Sequence, residues 1–270
     1  MTRDSGFSLI ELIVTLALTG ILAAATGGLV RHGLRVQRGQ LHVIEAEQAV
    51  RMAVSFLPLE LADVSADRAD SDLKAISRSS VTYRSAVNVY FICAGAGPTA
   101  SAVIVNLSPW FGTDALDTET QEFLVLAGVD TLDWARLDVR TASLSECDGG
   151  QPGIRIVLGT PLGMTIPVGA PVRGYRQSEL RLYRDGGGTW WLGQRTADRT
   201  GRWNTIQPLL GPLAAGGFEL DWLDRSGATG APLAEVHRVS IRVDGASVFR
   251  VPGEAPVVGK AEIWLRNNAR

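Results

Sequence analysis

Hydrophobic pattern divides the chain into three unequal parts. Residues 1–6 are polar, and Phe7 to Val30 is then apolar throughout, with Glu11 its single ionisable side chain. About 20 apolar residues in a helix cross the hydrocarbon core of a bilayer, so this stretch predicts a membrane span over residues 7–30. No proline follows until Pro58, and the apolar positions keep a helical period. Val36, Val43, Val50 and Leu57, with Val54 and Leu61, mark one stripe. Leu34, Leu41, Met52 and Phe56 mark another, nearly opposite. One packed side needs one stripe, so two stripes predict contacts on two sides. A helix buried in its own domain accounts for the later half almost as well. Pro58 lacks an amide donor and crowds the preceding turn, so the helix is expected to end or kink there. A continuous helix over residues 7–57 would be about 75 Å long.

From residue 58 to residue 270 the pattern changes to short β-favouring runs between glycine- and proline-rich connections. The expected strands are Val81–Tyr83, Val87–Cys93, Ala102–Leu107, Glu122–Leu126, Ile154–Leu158, Glu179–Tyr183, Trp190–Gly193, Phe218–Leu223, Val239–Val243 and Glu262–Leu265. Asp185-Gly186-Gly187-Gly188 reads as a hairpin turn, and Asp244-Gly245 as a second. The fold class is therefore α+β: a long N-terminal transmembrane helix followed by an antiparallel β-rich head.

Composition narrows the chemistry. The chain has 270 residues, 46% hydrophobic and 20% charged, with a net charge of -2. That balance argues against nucleic acid held by bulk charge. The basic residues are nearly all arginine, Lys74 and Lys260 being the lysines, as a codon bias would produce. Three histidines and two cysteines are too few and too scattered for a zinc site, and no metal or cofactor is expected. No phosphate-binding loop, dinucleotide fingerprint or nucleophile elbow occurs, and no catalytic constellation stands out. Asp63, Asp67, Asp70 and Asp72 lack the order of an EF-hand loop and read as a solvated acidic stretch. Core packing is the expected role of most of the seven tryptophans, although Trp190 and Trp191 should point to opposite faces of one strand, one to the core and the other outward.

Glu11 is the residue that needs a reason. A carboxylate one turn inside a membrane helix is costly and is usually kept because something pairs with it. Gly6-Phe7-Ser8-Leu9-Ile10-Glu11-Leu12 resembles the processing signal of type IV pilins and type II secretion pseudopilins. The resemblance implies a leader over residues 1–6, cleavage between Gly6 and Phe7 by a prepilin peptidase, and methylation of the new N-terminus. It further implies a head outside the cytoplasm, anchorage in inner-membrane lipid, assembly with other pilin or pseudopilin subunits, and no enzymatic activity. In a helix Glu11 lies four residues after the freed Phe7 amine. A carboxylate facing a neighbour's ammonium in low dielectric is paired only in the correct register, which makes Glu11 the expected assembly residue.

Other readings remain open from sequence alone. Glu11 fits a plain anchor that tolerates a carboxylate near its end, and Ala23-Ala24-Ala25 fits a secretory cleavage site. Arg31, Arg35 and Arg38 follow the span while Arg3 precedes it, and the positive-inside rule taken alone favours the opposite orientation. Cys93 and Cys147 would suit one disulfide in an exported domain, or be two separate thiols. Gly217–Asp224 and Val236–Val243 are loosely similar to a late strand pair of J-type pseudopilins and W-type minor pilins. Head size also favours a minor subunit at the start or tip of a filament. The alternatives are an anchored exported enzyme or binding domain, and a DNA-uptake minor pilin.

Overall fold

The computed structural model describes residues 9–65, 71–112, 115–127, 133–246 and 256–265. One helix, α1 (Leu9–Ala62), leads into twelve strands: β1 (Leu73–Ile76), β2 (Ser80–Ala94), β3 (Ala102–Asn106), β4 (Glu122–Ala127), β5 (Asp133–Leu137), β6 (Val139–Glu146), β7 (Pro152–Leu158), β8 (Pro171–Arg184), β9 (Trp190–Ala197), β10 (Gln207–Leu223), β11 (Arg238–Gly245) and β12 (Val258–Trp264). All pairings are antiparallel, so the molecule is α+β as expected. The main path through the sheet is β12-β11-β10-β9-β8-β2-β3-β7-β6, with β1 on β2 and the β4–β5 pair on β8.

Two hydrophobic cores share this sheet. One joins α1 to β1, β2 and β8–β12 through Leu57, Leu61, Tyr83, Leu180, Phe218 and Ile241. The other gathers Tyr90, Ile92, Val105, Phe123, Ile156 and Val172 around β2, β3, β4, β7 and the start of β8. The long strands β2 and β8 run through both. Along β2 the buried positions change from odd (Val81, Tyr83) to even (Tyr90, Ile92), and a bulge between Ala86 and Asn88 absorbs the extra residue.

The helix docks with its C-terminal half. Ala46, Ala49, Val50, Ala53, Leu57 and Leu61 are buried against the head. Small residues let helix and sheet approach closely: a Cβ added to Gly259 would lie 2.5 Å from a Val50 methyl, and one added to Gly245 would lie 3.0 Å from Ala46 Cβ. Of the first expected stripe Val50, Val54, Leu57 and Leu61 face the head and Val36 is exposed; of the second, Leu34, Leu41 and Met52 are exposed and Phe56 packs against the head.

Several expectations need correction. The helix continues through Pro58 to Ala62, because Leu57 and Leu61 on either side are held in the core. Asp244-Gly245 is not a turn; both residues belong to β11, paired with Val258 and Leu213. Asp72 is buried and ion-paired rather than solvated, whereas Asp63 is exposed. Asp67 and Asp70 lie outside the described residues. Trp110 and Trp264 are exposed rather than core residues.

Candidate functional site

Glu11 sits in the first turn of α1. Gly6 and Phe7 lie outside the described residues. From Leu9 to Val30 the large apolar side chains are exposed, among them Leu9, Ile10, Ile13, Leu16, Ile21 and Leu22. The helix is long and apolar enough to cross a membrane, and none of its most apolar window is buried inside the protein. Three threonines of its apolar part bond within the helix: Thr15 Oγ1 donates to the Glu11 carbonyl at 2.5 Å, Thr19 to Thr15 at 2.7 Å and Thr26 to Leu22 at 2.9 Å. Such back-bonding lowers the cost of placing threonine in lipid. The described residues thus form an exposed apolar stretch with Glu11 near its start, and the head packs on the far end of α1.

Residues 1–27 match the prokaryotic N-terminal methylation motif. The N-terminus is a prepilin-type signature. The motif supports a type IV pilin- or pseudopilin-like precursor, and α1 is a helix long and apolar enough to anchor one in a membrane. Prepilin-type sequences as a class are processed by prepilin peptidase and assemble with like subunits. Neither a curated protein nor a solved structure matches the chain.

The head of this prepilin-type chain holds two features beyond the motif. A disulfide joins Cys93 at the end of β2 to Cys147 in the β6–β7 turn, with the Cα atoms 5.2 Å apart. This ties β6, at one end of the sheet path, to the long central strand.

The second feature is a cleft of about 1000 Å³ along the sheet face turned away from Phe123, Val125 and Val172. Register puts Glu122 beside Tyr175, and Leu124 beside both Arg173 and Arg136. At its floor Arg84, 5% exposed, donates from Nε and Nη2 to Asp72 Oδ1 at 3.0 and 2.8 Å. Glu122 stands 4.0 Å from the same guanidinium and 2.6 Å from Arg136. Arginine planes also lie over aromatic rings: Arg84 over Tyr175 at 5.4 Å and Arg173 over Trp134 at 4.5 Å. Burial raises the Tyr175 pKa. Tyr83, buried and donating to Glu60 at 2.7 Å, is pushed well above the ordinary tyrosine range, first by burial and then by that carboxylate.

Sequence reasoning did not find this cleft. Its residues come from segments far apart in the chain, and arginines and tryptophans carry no spacing signal of their own. Among the described residues, no group of three or more histidine, cysteine or acidic side chains is placed to hold a metal ion.

Proposed function

We propose that the protein is a minor pilin or pseudopilin subunit, matured at Gly6–Phe7 and drawn from the membrane into a filament by its N-terminal helix. The carrying observation is the prepilin-type motif at the start of a helix whose first half exposes its large apolar side chains among the described residues. Filament assembly would surround that half with neighbouring helices in place of lipid and bring the ammonium of a neighbouring subunit to the Glu11 carboxylate. The exposed Leu34, Val36, Leu41 and Met52 continue the same surface beyond the membrane. A bulky head of twelve strands suits a subunit that starts or tips a filament, with the J- and W-type minor subunits as the nearest pattern. The head would then lie outside the cytoplasm, where a disulfide persists.

Two measurements on protein from its native membrane test this reading. Intact-mass and N-terminal analysis should find a chain that begins at N-methylated Phe7. A start at Thr26 or a retained Met1 would end it. Glu11→Ala should still insert and be cleaved, yet be missing from purified filaments; incorporation at the normal level would remove the register role.

A further inference from the structure

We infer that the cleft over Arg84 and Tyr175 is a binding site for a neutral, extended glycan. This goes beyond the assembly role and does not depend on it. The first argument is aromatic. Trp110 is 76% exposed and Phe111 is 55% exposed, and both line the cleft with Trp134 and Tyr175. The two are seated rather than loose: Trp110 N–H donates to the Val89 carbonyl at 2.8 Å, and Val89 N–H donates to the Phe111 carbonyl at 3.1 Å. The Trp110 ring also meets Phe91 edge-on, with centroids 6.1 Å apart. Fixed, water-exposed aromatic faces at a cleft are surfaces that a flat sugar ring covers with its C–H bonds.

The second argument is electrostatic, and it selects among ligands. A site for nucleic acid or an acidic peptide needs cationic groups left over after internal pairing. Here two of the four arginines that line the cleft are paired with carboxylates, Arg84 with Asp72 and Glu122 and Arg195 with Glu179, while Arg176 donates to Thr120 Oγ1 at 3.4 Å and Arg173 is stacked on Trp134, so little cationic charge is left over. What the cleft offers instead is planar hydrogen-bonding groups held in place by their pairing, with Gln194, Asn204 and Gln207 beside them. Oriented guanidinium, carboxylate and amide edges match adjacent hydroxyls, which both donate and accept. Arg173, stacked on Trp134, places a donor edge beside a ring face. The volume is at the upper end for ligand clefts and accommodates several sugar units.

The test uses the full-length protein in phosphatidylcholine nanodiscs, because sugar-headed detergents would compete. Cellohexaose and chitohexaose are titrated against tryptophan fluorescence, with saturation-transfer NMR as a second readout. At least one hexamer should bind saturably. Trp110→Ala should weaken binding about tenfold, the loss of one stacked ring, with Arg173→Ala similar. Trp264→Ala, an exposed tryptophan on β12 outside the cleft, should leave binding unchanged. Circular dichroism of each variant checks that the head remains folded. Failure of both hexamers to bind would overturn the proposal. So would binding insensitive to Trp110→Ala and Arg173→Ala, or Trp110-dependent binding of poly-glutamate or oligo-dT in place of the sugars.

Discussion

Asp198 and Asp224 are half-buried, and each organises a hairpin. The β9–β10 turn reads Asp198-Arg199-Thr200-Gly201-Arg202, and the β10–β11 turn reads Asp224-Arg225-Ser226-Gly227-Ala228. In both, the carboxylate accepts the hydroxyl two residues on, at 2.6 and 2.7 Å. It also accepts the amides two and four residues on, all at 2.8 to 2.9 Å. Gly201 and Gly227 close the turns at φ 82 and 90, a left-handed conformation that disfavours other residues. These bonds, the hydroxyl first, hold both carboxyls below the ordinary value of 3.8. A lowered folded pKa means stability that is present above the unfolded value and lost as pH falls through the folded one. Thermal midpoints should therefore fall on acidification below about pH 4, and less so in the double variant Asp198→Asn with Asp224→Asn. An unchanged acid profile in that variant would show that these turns do not contribute.

The buried pair at the cleft floor behaves differently. Asp72→Ala removes the closest carboxylate from a guanidinium that is 5% exposed, Glu122 standing further off at 4.0 Å. Destabilisation of about 3 kcal/mol is expected, measurable by denaturant titration. Asp72→Asn keeps an acceptor and should cost less.

At the scale of elements, the helix–sheet contact depends on what is absent. Gly259→Val would drive its side chain into Val50 and Val54, whose methyls lie 2.5 and 2.6 Å from the added Cβ position. Overpacking of this kind typically costs about 1–3 kcal/mol, so the denaturation midpoint should fall while the cleft is untouched. The disulfide acts at the opposite end of the sheet path. Its chain separation is 54 residues, and replacing both cysteines by serine should cost about 2–4 kcal/mol. The ten strands expected from pattern are all present as strands, and Val81–Tyr83 and Val87–Cys93 are two parts of the single β2. The strands β1, β5 and β6 were not legible. Each is short or polar, and β6 exposes most of its side chains, so it lacks the alternation that marks a half-buried strand. Likewise, of the three D-x-x-G turns only Asp185–Gly188 carried enough glycine to be seen.

Across the whole molecule, the shared strands β2 and β8 join the two cores into one unit. Melting one core removes pairing partners from the other, so the head should unfold in a single transition. Equal calorimetric and van't Hoff enthalpies would check this, and two resolved transitions would contradict it. Local order along the chain was enough to establish the apolar N-terminal stretch, the prepilin-type motif, the helix running on past that stretch and the β character of the head. Each of these depends on residue type at fixed spacing, and spacing is what a sequence records. Tertiary structure decided which strands pair, which helix face meets the sheet, that Asp72 meets Arg84, and that Trp110, Trp134 and Arg173 share a cleft. A period of two tells which residues share a face of a strand, but not which distant strand lies beside it. That choice is made by the packing of the whole chain.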